Sequence, residues 1–370
     1  MQDITVWVNS RFLSRKITGV ERVAHEILRS LALNFLNPEG VYKHKNGLIT
    51  FKLVMENDAP AVTVDYAHGW EKARIGGFKG HAWEQLNLAT FKPNDWVLSL
   101  CNTGPMLRRN HAIFFHDAQV YAIPSNFDWK FRSWYHLLIN TAGRMSKVLF
   151  TNSAFSKSEL SLYTKIDPTK FAVNHLGCDH MLRLTAELPK ELMTRLNHQP
   201  YVLAVSSASP NKNFEGVLKA LELMGSNAPH CVIVGQQYSK VFKGSKLDNT
   251  RVIEMGYVSD EVLAGLYKHA MCLIYPSFYE GFGLPPLEAM LLGCPVIASN
   301  RSSLPEVCGD VALYCDPGDP QTIASAILKL TEQPDMVERL RTKSKEHAAS
   351  FTWGKSAERT LEVLCKATQH

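Results

Sequence analysis

Two glutamates, Glu280 and Glu288, flank the stretch of this sequence that is best suited to binding and chemistry. Seven residues separate them, and these include Gly281 and Gly283. Because glycine has no Cβ, the backbone of such a loop can approach a bound molecule closely. Ionised carboxylates accept hydrogen bonds, so a pair of them favours a ligand that is rich in hydroxyl groups.

The elements that hold this loop are predicted to be a strand and a helix. Residues 271–275 are apolar and predict the strand, and Leu284 with Pro285 predicts the first helical turn. Proline is tolerated there because the N–H that it lacks would have no partner. The other N–H groups of a helix start, together with the helix dipole, favour an anion. The loop is therefore predicted to bind phosphate, and the flanking carboxylates indicate a nucleotide diphosphate.

The segment also resembles a known family. Residues 280–319 read EGFGLPPLEAMLLGCPVIASNRSSLPEVCGDVALYCDPGD. This run is similar to the donor-binding core of the retaining glycosyltransferases of family four (GT4), whose Glu-x7-Glu motif is matched by Glu280 and Glu288. The alternative is a buried loop in which Glu280 only caps a helix. The position of Glu280 after a strand favours the first interpretation, because open α/β sheets bind ligands at the carboxyl ends of their strands.

The resemblance implies an α/β protein of the GT-B fold, with two Rossmann-like domains that face each other across a cleft. It implies an N-terminal acceptor-side domain over residues 1–185 and a C-terminal nucleotide-sugar-binding domain over residues 186–352. A C-terminal helix, residues 353–370, would cross back to the first domain. The length of 370 residues independently favours two domains.

The same resemblance assigns roles in donor binding. Lys212 would contact the diphosphate, and Glu288 would accept hydrogen bonds from ribose hydroxyls. Glu280 would hold the sugar or stabilise positive charge at its anomeric carbon. The backbone of Tyr257 and Val258 would border the base. The remaining donor-binding residues are Gly19, Gly281, Phe282, Gly283 and Leu284.

One departure from the family pattern concerns positive charge. The family often has an arginine five or six residues before the lysine, whereas this sequence has Ser206 and Ser207 near that place. Neutralisation of the diphosphate would then rest on Lys212, on the helix start near Gly283, and on basic residues of the loop after the first strand. Those basic residues are Arg11, Arg15 and Lys16.

His116 and Asp117 are the candidate catalytic residues of the first half. They follow a short apolar run, residues 112–115, which predicts a strand. In the resembled family a histidine at this place contacts the transferred sugar, and Asp117 would orient its imidazole or hold an acceptor hydroxyl. The alternative is a surface histidine with no role in the site, since the sequence contains 14 histidines.

The rest of the pattern predicts alternating strands and helices, except over residues 56–95, where no element is predicted. Ser156 and Glu159 have the spacing of a capping box and predict a helix start. An aromatic-rich stretch, residues 127–141, predicts a helix that packs in the core or borders an acceptor. Residues 351–367 predict the final helix.

Composition limits the class of protein. The sequence is 45% hydrophobic and 20% charged, and it has no apolar run near the roughly 18 residues that a membrane-spanning helix needs. The N-terminus lacks the features of a signal peptide, and the eight cysteines form no C-x-x-C pair. A cytoplasmic protein without a zinc site is therefore expected.

Positive charge is concentrated in the first half. The net charge is +5, and residues 1–180 hold 21 Lys and Arg against 15 Asp and Glu. This excess favours an anionic lipid or a phosphorylated acceptor, with peripheral association at the inner face of the membrane, or else simply a solvated surface. No dense basic run or known binding motif indicates nucleic acid. The sequence predicts no oligomeric state.

The activity implied by the resemblance is retaining transfer of a hexose from a nucleotide diphosphate sugar to a glycan or lipid-linked acceptor. Similarity to bacterial polysaccharide and O-antigen (lipopolysaccharide) mannosyltransferases makes mannose from GDP-mannose the first choice, ahead of rhamnose and glucose donors. The resemblance implies that neither a metal nor a cofactor is needed, and the sequence agrees in one respect, since no Asp-x-Asp occurs. Alternatives are a sugar-nucleotide epimerase of the same fold, a phosphorylase that needs pyridoxal phosphate, and a non-enzymatic nucleotide-sugar sensor.

Overall fold

The chain folds into two compact units, each built on a mainly parallel sheet. The computed structural model describes residues 3–45, 47–60, 64–206, 209–235 and 251–369, with only the backbone of Ser206. One unit is Met1–Gly177 together with Trp353–His370, and the other is Cys178–Thr352. This two-unit α/β architecture confirms the predicted fold class.

A single sheet forms the core of the first unit. Its strands are β1 (Ile4–Asn9), β2 (Val41–His44), β3 (Gly47–Glu56), β4 (Lys72–Ile75), β5 (Trp96–Ser99), β6 (His111–Phe114), β7 (Val148–Thr151) and β8 (Phe171–Val173). The order is β2-β3-β1-β5-β6-β7-β8, with β4 beside β3, and only β2 and β3 are antiparallel. Every residue of β5, β6 and β7 is buried, as expected for parallel strands that helices cover on both faces.

Helices connect these strands. They are α1 (Gly19–Asn34), α2 (Gly80–Trp83), α3 (Gln119–Ala122), α4 (Trp129–Met145) and α5 (Ala154–Thr164). The apolar residues of α1 recur at helical spacing, and Val23, Ala24, Ile27 and Leu31 from this stripe are all buried. Burial of this one face fixes the rotation of α1 on the sheet.

The described residues of the second unit form a sheet of six strands, all parallel. They are β9 (Tyr201–Ser206), β10 (His230–Gly235), β11 (Val252–Gly256), β12 (Cys272–Tyr275), β13 (Val296–Ser299) and β14 (Leu313–Cys315), in the order β11-β10-β9-β12-β13-β14. The helices are α6 (Lys190–Leu196), α7 (Phe214–Met224), α8 (Asp260–His269), α9 (Leu284–Leu291), α10 (Leu304–Cys308), α11 (Pro320–Glu332) and α12 (Pro334–Ala349). The strand carrying the glutamate loop, β12, is central, so its carboxyl end lies at the middle of the edge where such sheets bind ligands.

The last helix, α13 (Trp353–Ala367), belongs to the first unit, where it packs against α1 and β7. Asn174, which follows β8, forms hydrogen bonds with α13. The amide Nδ2 of Asn174 donates to the carbonyl oxygen of Ser356 at 3.1 Å and to Thr360 Oγ1 at 2.9 Å. The hydroxyl of Ser356 in turn donates to Asn174 Oδ1 at 3.1 Å. All three side chains are buried.

Two expectations from the sequence were wrong. Residues 56–95 do contain elements, namely β4, α2 and a π-helical turn, Glu84–Leu88, that continues α2. The N-cap of α5 is Ser153, whose Oγ accepts from the amide of Ser156 at 2.9 Å, so Ser156 and Glu159 form no capping box. Spacing alone does not say which of several serines takes the first position.

The eight cysteines are all unpaired thiols. Within the described ranges, no helix combines the length and apolarity needed to cross a bilayer.

Asn174→Ala is expected to lower the free energy of unfolding by about 2–3 kcal/mol, because it leaves buried groups of Ser356 and Thr360 without their partner. Urea unfolding measures this. The matched control is Asn57→Ala at an exposed position, which should change stability by less than about 0.5 kcal/mol. Equal effects of the two changes would contradict the role given to Asn174.

Candidate functional site

The loop between β12 and α9 carries the residues predicted to bind phosphate. Gly283 precedes α9 with a φ of +117°, a conformation that favours glycine. A Cβ at this position would lie 2.7 Å from Cδ2 of Leu304, so a side chain there would also displace the neighbouring helix. Pro285 lies in the first turn of α9, as predicted. Gly283 therefore serves both the bend and the close packing of the loop.

Two serines fix the backbone of this loop. The hydroxyl of Ser303 lies 2.9 Å from the carbonyl oxygen of Glu280 and 2.7 Å from that of Phe282, and its one proton is shared between these two acceptors. The amide of Glu280 donates to Ser302 Oγ at 3.0 Å. Ser303 is fully buried, so these hydrogen bonds are protected from water. The course of the chain from Glu280 to Phe282 is therefore set by the residues that precede α10.

Lys212 and Glu280 form the central contact of the site. The ammonium Nζ of Lys212 lies 2.6 Å from Glu280 Oε1, and it also donates to the hydroxyl of Tyr275 at 3.2 Å. The side chains of Lys212 and Glu280 are 17% and 11% exposed. The sequence predicted both residues for the donor site, and the structure brings them into direct contact.

The electrostatics of this contact keep Lys212 charged. Burial by itself lowers the pKa of the Lys212 ammonium, but the charge of Glu280 and the hydroxyl of Tyr275 raise that pKa above its ordinary value overall. Burial raises the pKa of the Tyr275 phenol, and the charge of Glu280 adds to this rise. At neutral pH the site therefore holds an ammonium and a neutral phenol.

Two asparagines position Lys212. The backbone carbonyl of Asn211 accepts from the amide of Phe278 at 2.7 Å, and its side chain donates to the carbonyl of Tyr279 at 3.1 Å. The side chain of Asn213 donates to the carbonyl of Pro276 at 3.2 Å. The loop that carries Lys212 is thus bonded along its length to the loop that carries Glu280, and the ion pair lies between two fixed backbones.

Glu288, in α9, is buried and has a protein partner for each carboxylate oxygen. Oε1 lies 3.1 Å from Nε2 of His180, and Oε2 accepts from the hydroxyl of Tyr267 at 3.3 Å. Burial and the charge of Glu288 raise the pKa of the Tyr267 phenol well above its ordinary value, so this hydroxyl remains a donor. His180 lies in a short 3-10 turn, Asp179–Arg183.

Sequence reasoning missed Tyr275, Tyr267 and His180. Tyr275 is the last residue of the predicted strand before the glutamate loop, so its position was a usable signal. Tyr267 and His180 come from α8 and from the turn after the first unit, and no spacing in the sequence relates them to Glu288.

The remaining predicted donor-binding residues of this unit lie after strands. Tyr257 and Val258 follow β11 at the edge of the sheet, and the side chain of Tyr257 is 67% exposed. Gly281 and Phe282 lie in the glutamate loop itself, and Phe282 is buried. Near the place where the family often has an arginine, this chain has Ser206 and Ser207. The side chain of Ser206 and all of Ser207 lie outside the described residues.

His116 is in the first unit, directly after β6, and is buried. Its Nε2 lies 2.9 Å from the carbonyl oxygen of Leu100, which only accepts, so Nε2 carries the proton. Its ring stacks on Phe114 with 4.5 Å between centroids. Burial lowers the pKa of the imidazole to about 4, although the bond to Leu100 opposes this. His116 is therefore neutral at pH 7, with a lone pair on Nδ1.

Other candidates of the first unit have local partners. Oδ1 of Asp117 accepts from the amide of Gln119 at 2.8 Å, and the backbone carbonyl of Leu100 accepts from Nε2 of the His116 imidazole. That Asp117 orients this ring or holds an acceptor hydroxyl stays a prediction. Gly19 is the first residue of α1, and a Cβ at this glycine would meet no atom within 4 Å.

Arg11 does not provide a free charge for a diphosphate. Its guanidinium pairs with Glu84 at 2.7 Å and with Glu56 at 3.2 Å, and its side chain is only 11% exposed. Arg15 lies 3.7 Å from Glu21 and is more exposed. Of the basic residues that were predicted to help neutralise the diphosphate, Arg11 is thus committed to buried carboxylates of its own unit.

His116 is expected to stay neutral as the pH is lowered from 7 to 5, since its pKa is about 4 in the folded protein against an ordinary 6.5. Between these values the unfolded chain binds more protons, so the free energy of unfolding should rise with pH over this range. Urea unfolding from pH 4.5 to 7 and an NMR titration of the imidazole C2 proton measure the two effects.

His116→Gln should reduce this pH dependence without removing it, because buried His111, with a pKa of about 3, contributes in the same direction. Exposed His68 is the control, and His68→Gln should leave the NMR titration of His116 unchanged. A His116 resonance that titrates near pH 6.5 would contradict the neutral, buried state.

Comparison with known proteins places these features among sugar-transferring enzymes. Residues 193–347 match a family model described as Glycosyl transferases group 1. O-antigen chain mannosyltransferase B of Escherichia coli is 32% identical over 262 residues, which cover 67% of this chain and 68% of that protein. O-antigen chain mannosyltransferase RfbU of Salmonella typhimurium is 28% identical over 247 residues, which cover 66% of this chain and 67% of that protein.

A solved structure has the same fold over the whole length. HepE of Anabaena, determined in complex with UDP and glucose, matches with a TM-score of 0.72 and covers 99% of this chain and 100% of its own. The sequence identity is 17%, so this likeness concerns the fold.

Proposed function

Since the chain belongs to the group 1 glycosyl transferases, as a GT4-like glycosyltransferase of GT-B fold, we propose that it transfers mannose from GDP-mannose, with retention, to a glycan or lipid-linked acceptor. The pathway would be bacterial polysaccharide biosynthesis. The observation that carries the proposed donor site is the Lys212–Glu280 pair at the glycine loop. The similarity to two O-antigen mannosyltransferases supports mannose as the sugar.

Lys212 would neutralise the departing diphosphate. An ammonium has three N–H donors, and Glu280 and Tyr275 occupy two of them. The third would bind a phosphate oxygen, together with backbone N–H groups where α9 begins after Gly283. Such preorganised donors stabilise negative charge as the bond to the sugar breaks. This arrangement would require no metal, in agreement with the absence of Asp-x-Asp from the sequence.

Glu280 would act on the sugar. Its Oε1 binds Lys212, and its Oε2 would accept a sugar hydroxyl or face the positive charge that develops at the anomeric carbon. The Glu280 amide donates to Ser302 Oγ and the Glu280 carbonyl accepts from Ser303 Oγ, so the backbone that carries this carboxylate is fixed. No protein nucleophile is assigned, consistent with attack by the acceptor hydroxyl on the face that the diphosphate leaves.

Glu288 would bind the ribose. An ionised carboxylate accepts hydrogen bonds at both oxygens, and the hydroxyl of Tyr267 already donates to Oε2. The carboxylate would accept hydrogen bonds from the two ribose hydroxyls in the same way. The backbone of Tyr257 and Val258 would border the base, which they would contact at the carboxyl end of β11.

His116 would accept a hydrogen bond from the transferred sugar. Because its proton is on Nε2 and points at Leu100, the lone pair on Nδ1 is the group that would meet a ligand. A neutral imidazole in this tautomer accepts from a hydroxyl and does not serve as an acid.

UDP-glucose is the second candidate donor, because the HepE structure with the same fold holds UDP and glucose. The epimerase, phosphorylase and sensor alternatives receive no such support.

GDP-mannose is expected to stabilise the protein by about 2.7 kcal/mol at a concentration 100 times its Kd, because it binds only the folded chain. Thermal unfolding with GDP-mannose, UDP-glucose and a rhamnose donor in parallel tests the sugar and the base. Incubation of GDP-mannose with α-mannobiose, followed by NMR of the anomeric proton of the product, tests retention. Stabilisation by UDP-glucose alone would make UDP-glucose the donor in place of GDP-mannose. A β-linked product would refute retention.

Glu288→Ala is expected to weaken donor binding about 10- to 100-fold, from the loss of hydrogen bonds to a charged acceptor. Glu280→Gln should instead lower kcat about 100-fold or more, since it removes charge that acts in the transition state. Calorimetric titration and initial rates separate the two effects. Exposed Glu346→Gln in α12 is the control and should match the wild type. Unchanged donor affinity in Glu288→Ala would refute the ribose role.

A further inference from the structure

The first unit holds a second polar constellation, centred on Glu84 in the π-helical turn after α2. The side chain of Glu84 is fully buried. Its Oε1 accepts from Asn9 Nδ2 at 2.9 Å and from Thr103 Oγ1 at 2.8 Å. Its Oε2 lies 2.7 Å from Arg11 Nη1 and 3.1 Å from Nδ1 of His81. Four groups from three separate segments therefore converge on one carboxylate.

Glu84 fixes the tautomer of His81. Burial alone raises the pKa of Glu84, but the bond from His81 and the charge of Arg11 bring this pKa below its ordinary value. An ionised carboxylate only accepts hydrogen bonds, so Nδ1 of His81 must donate. In a neutral imidazole the lone pair is then on Nε2, which makes no hydrogen bond within the described ranges. The His81 side chain is 40% exposed, so this acceptor is open to a ligand.

The position of the cluster is that of a binding site. Asn9 ends β1, α2 follows β4, and Thr103 lies in the loop after β5. These strands run parallel, so their carboxyl ends meet at one edge of the sheet, where α/β sheets bind ligands. A π-helical turn inside a helix is also frequent at functional sites.

An aromatic side chain lies beside this cluster. The indole ring of Trp134, from α4, lies 5.2 Å from the His81 imidazole, with an angle of 52° between the rings. Its Nε1 is buried and has no hydrogen-bond partner in the described part of the chain. An oriented hydrogen-bond acceptor beside an aromatic ring suits a pyranose, which presents hydroxyls at its rim and an apolar face.

We propose that His81, oriented by Glu84, binds a hydroxyl of the terminal sugar of the acceptor glycan, with Trp134 against the apolar face of that sugar. The proposal rests on the glycosyl transfer proposed above and adds a recognition site for the acceptor in the first unit. Glu84 and Arg11 act through His81 and are positioning residues. The donor residues Lys212, Glu280 and Glu288 take no part in this site.

The test uses the full chain, GDP-mannose as donor and α-1,3-mannobiose as acceptor probe. His81→Phe should raise the KM for mannobiose about 10-fold or more, because it removes the hydrogen-bond acceptor and keeps an aromatic ring of similar size. The Kd for GDP-mannose and the rate of its hydrolysis without acceptor should stay within about twofold of wild type. His81→Gln, whose amide can donate to Glu84 and still accept, should recover part of the affinity.

Exposed His68→Phe is the matched control and should match the wild type. Melting temperatures of all variants show whether the fold is kept. A KM for mannobiose unchanged in His81→Phe, or an equal loss of donor affinity, overturns the inference. Failure of the wild type to bind mannobiose, with donor binding intact, also overturns it. Failure of the wild type to bind GDP-mannose would instead contradict the proposed donor. That outcome concerns the donor site of the second unit and not the acceptor site proposed here.

Discussion

The site of the second unit depends on one buried ion pair, that of Lys212 with Glu280. Removing two charges from water is costly, and the attraction between them offsets this cost only when the geometry is good and hydrogen bonds satisfy the remaining groups. Here the contact is 2.6 Å, Tyr275 accepts a second hydrogen bond from the ammonium, and each residue sits on a backbone that other side chains hold. The surrounding loops are therefore explained as the support that this pair requires.

Small polar residues, whose side chains have little conformational freedom, hold these backbones in place. Asn211 and Asn213 bond the lysine loop to the glutamate loop, and Ser303 holds the glutamate loop from the side of α10. Gly283 permits the bend that ends at α9, where any side chain would collide with Leu304. These short side chains fix the backbone through hydrogen bonds. The longer charged side chains of Lys212 and Glu280 therefore have few alternative positions.

Much of this arrangement could be predicted from the sequence, because it follows from local signals. Apolar runs predicted the strands, Pro285 marked the start of α9, and the spacing of Glu280 and Glu288 indicated the loop that we propose as the donor site. The partners of Glu288 could not be predicted, since Tyr267 and His180 reach it only through tertiary packing. The segment that contains His81 and Glu84 was missed for another reason. Its π-helical turn inserts an extra residue and breaks the 3.6-residue spacing on which helix prediction rests.

The cost of separating Lys212 from Glu280 also shapes how the two are expected to work in the proposed reaction. Before a donor binds, each residue neutralises the other, so the loop carries little net charge. A bound diphosphate would compete with Glu280 for the ammonium, and this competition would grow as negative charge builds on the departing oxygen. As Lys212 shifts toward that oxygen, the Glu280 carboxylate is less neutralised at the moment when positive charge appears on the sugar. The pair would thus divide into its two charges along the reaction coordinate, and a contact that is neutral at rest would then give stabilisation specific to the transition state.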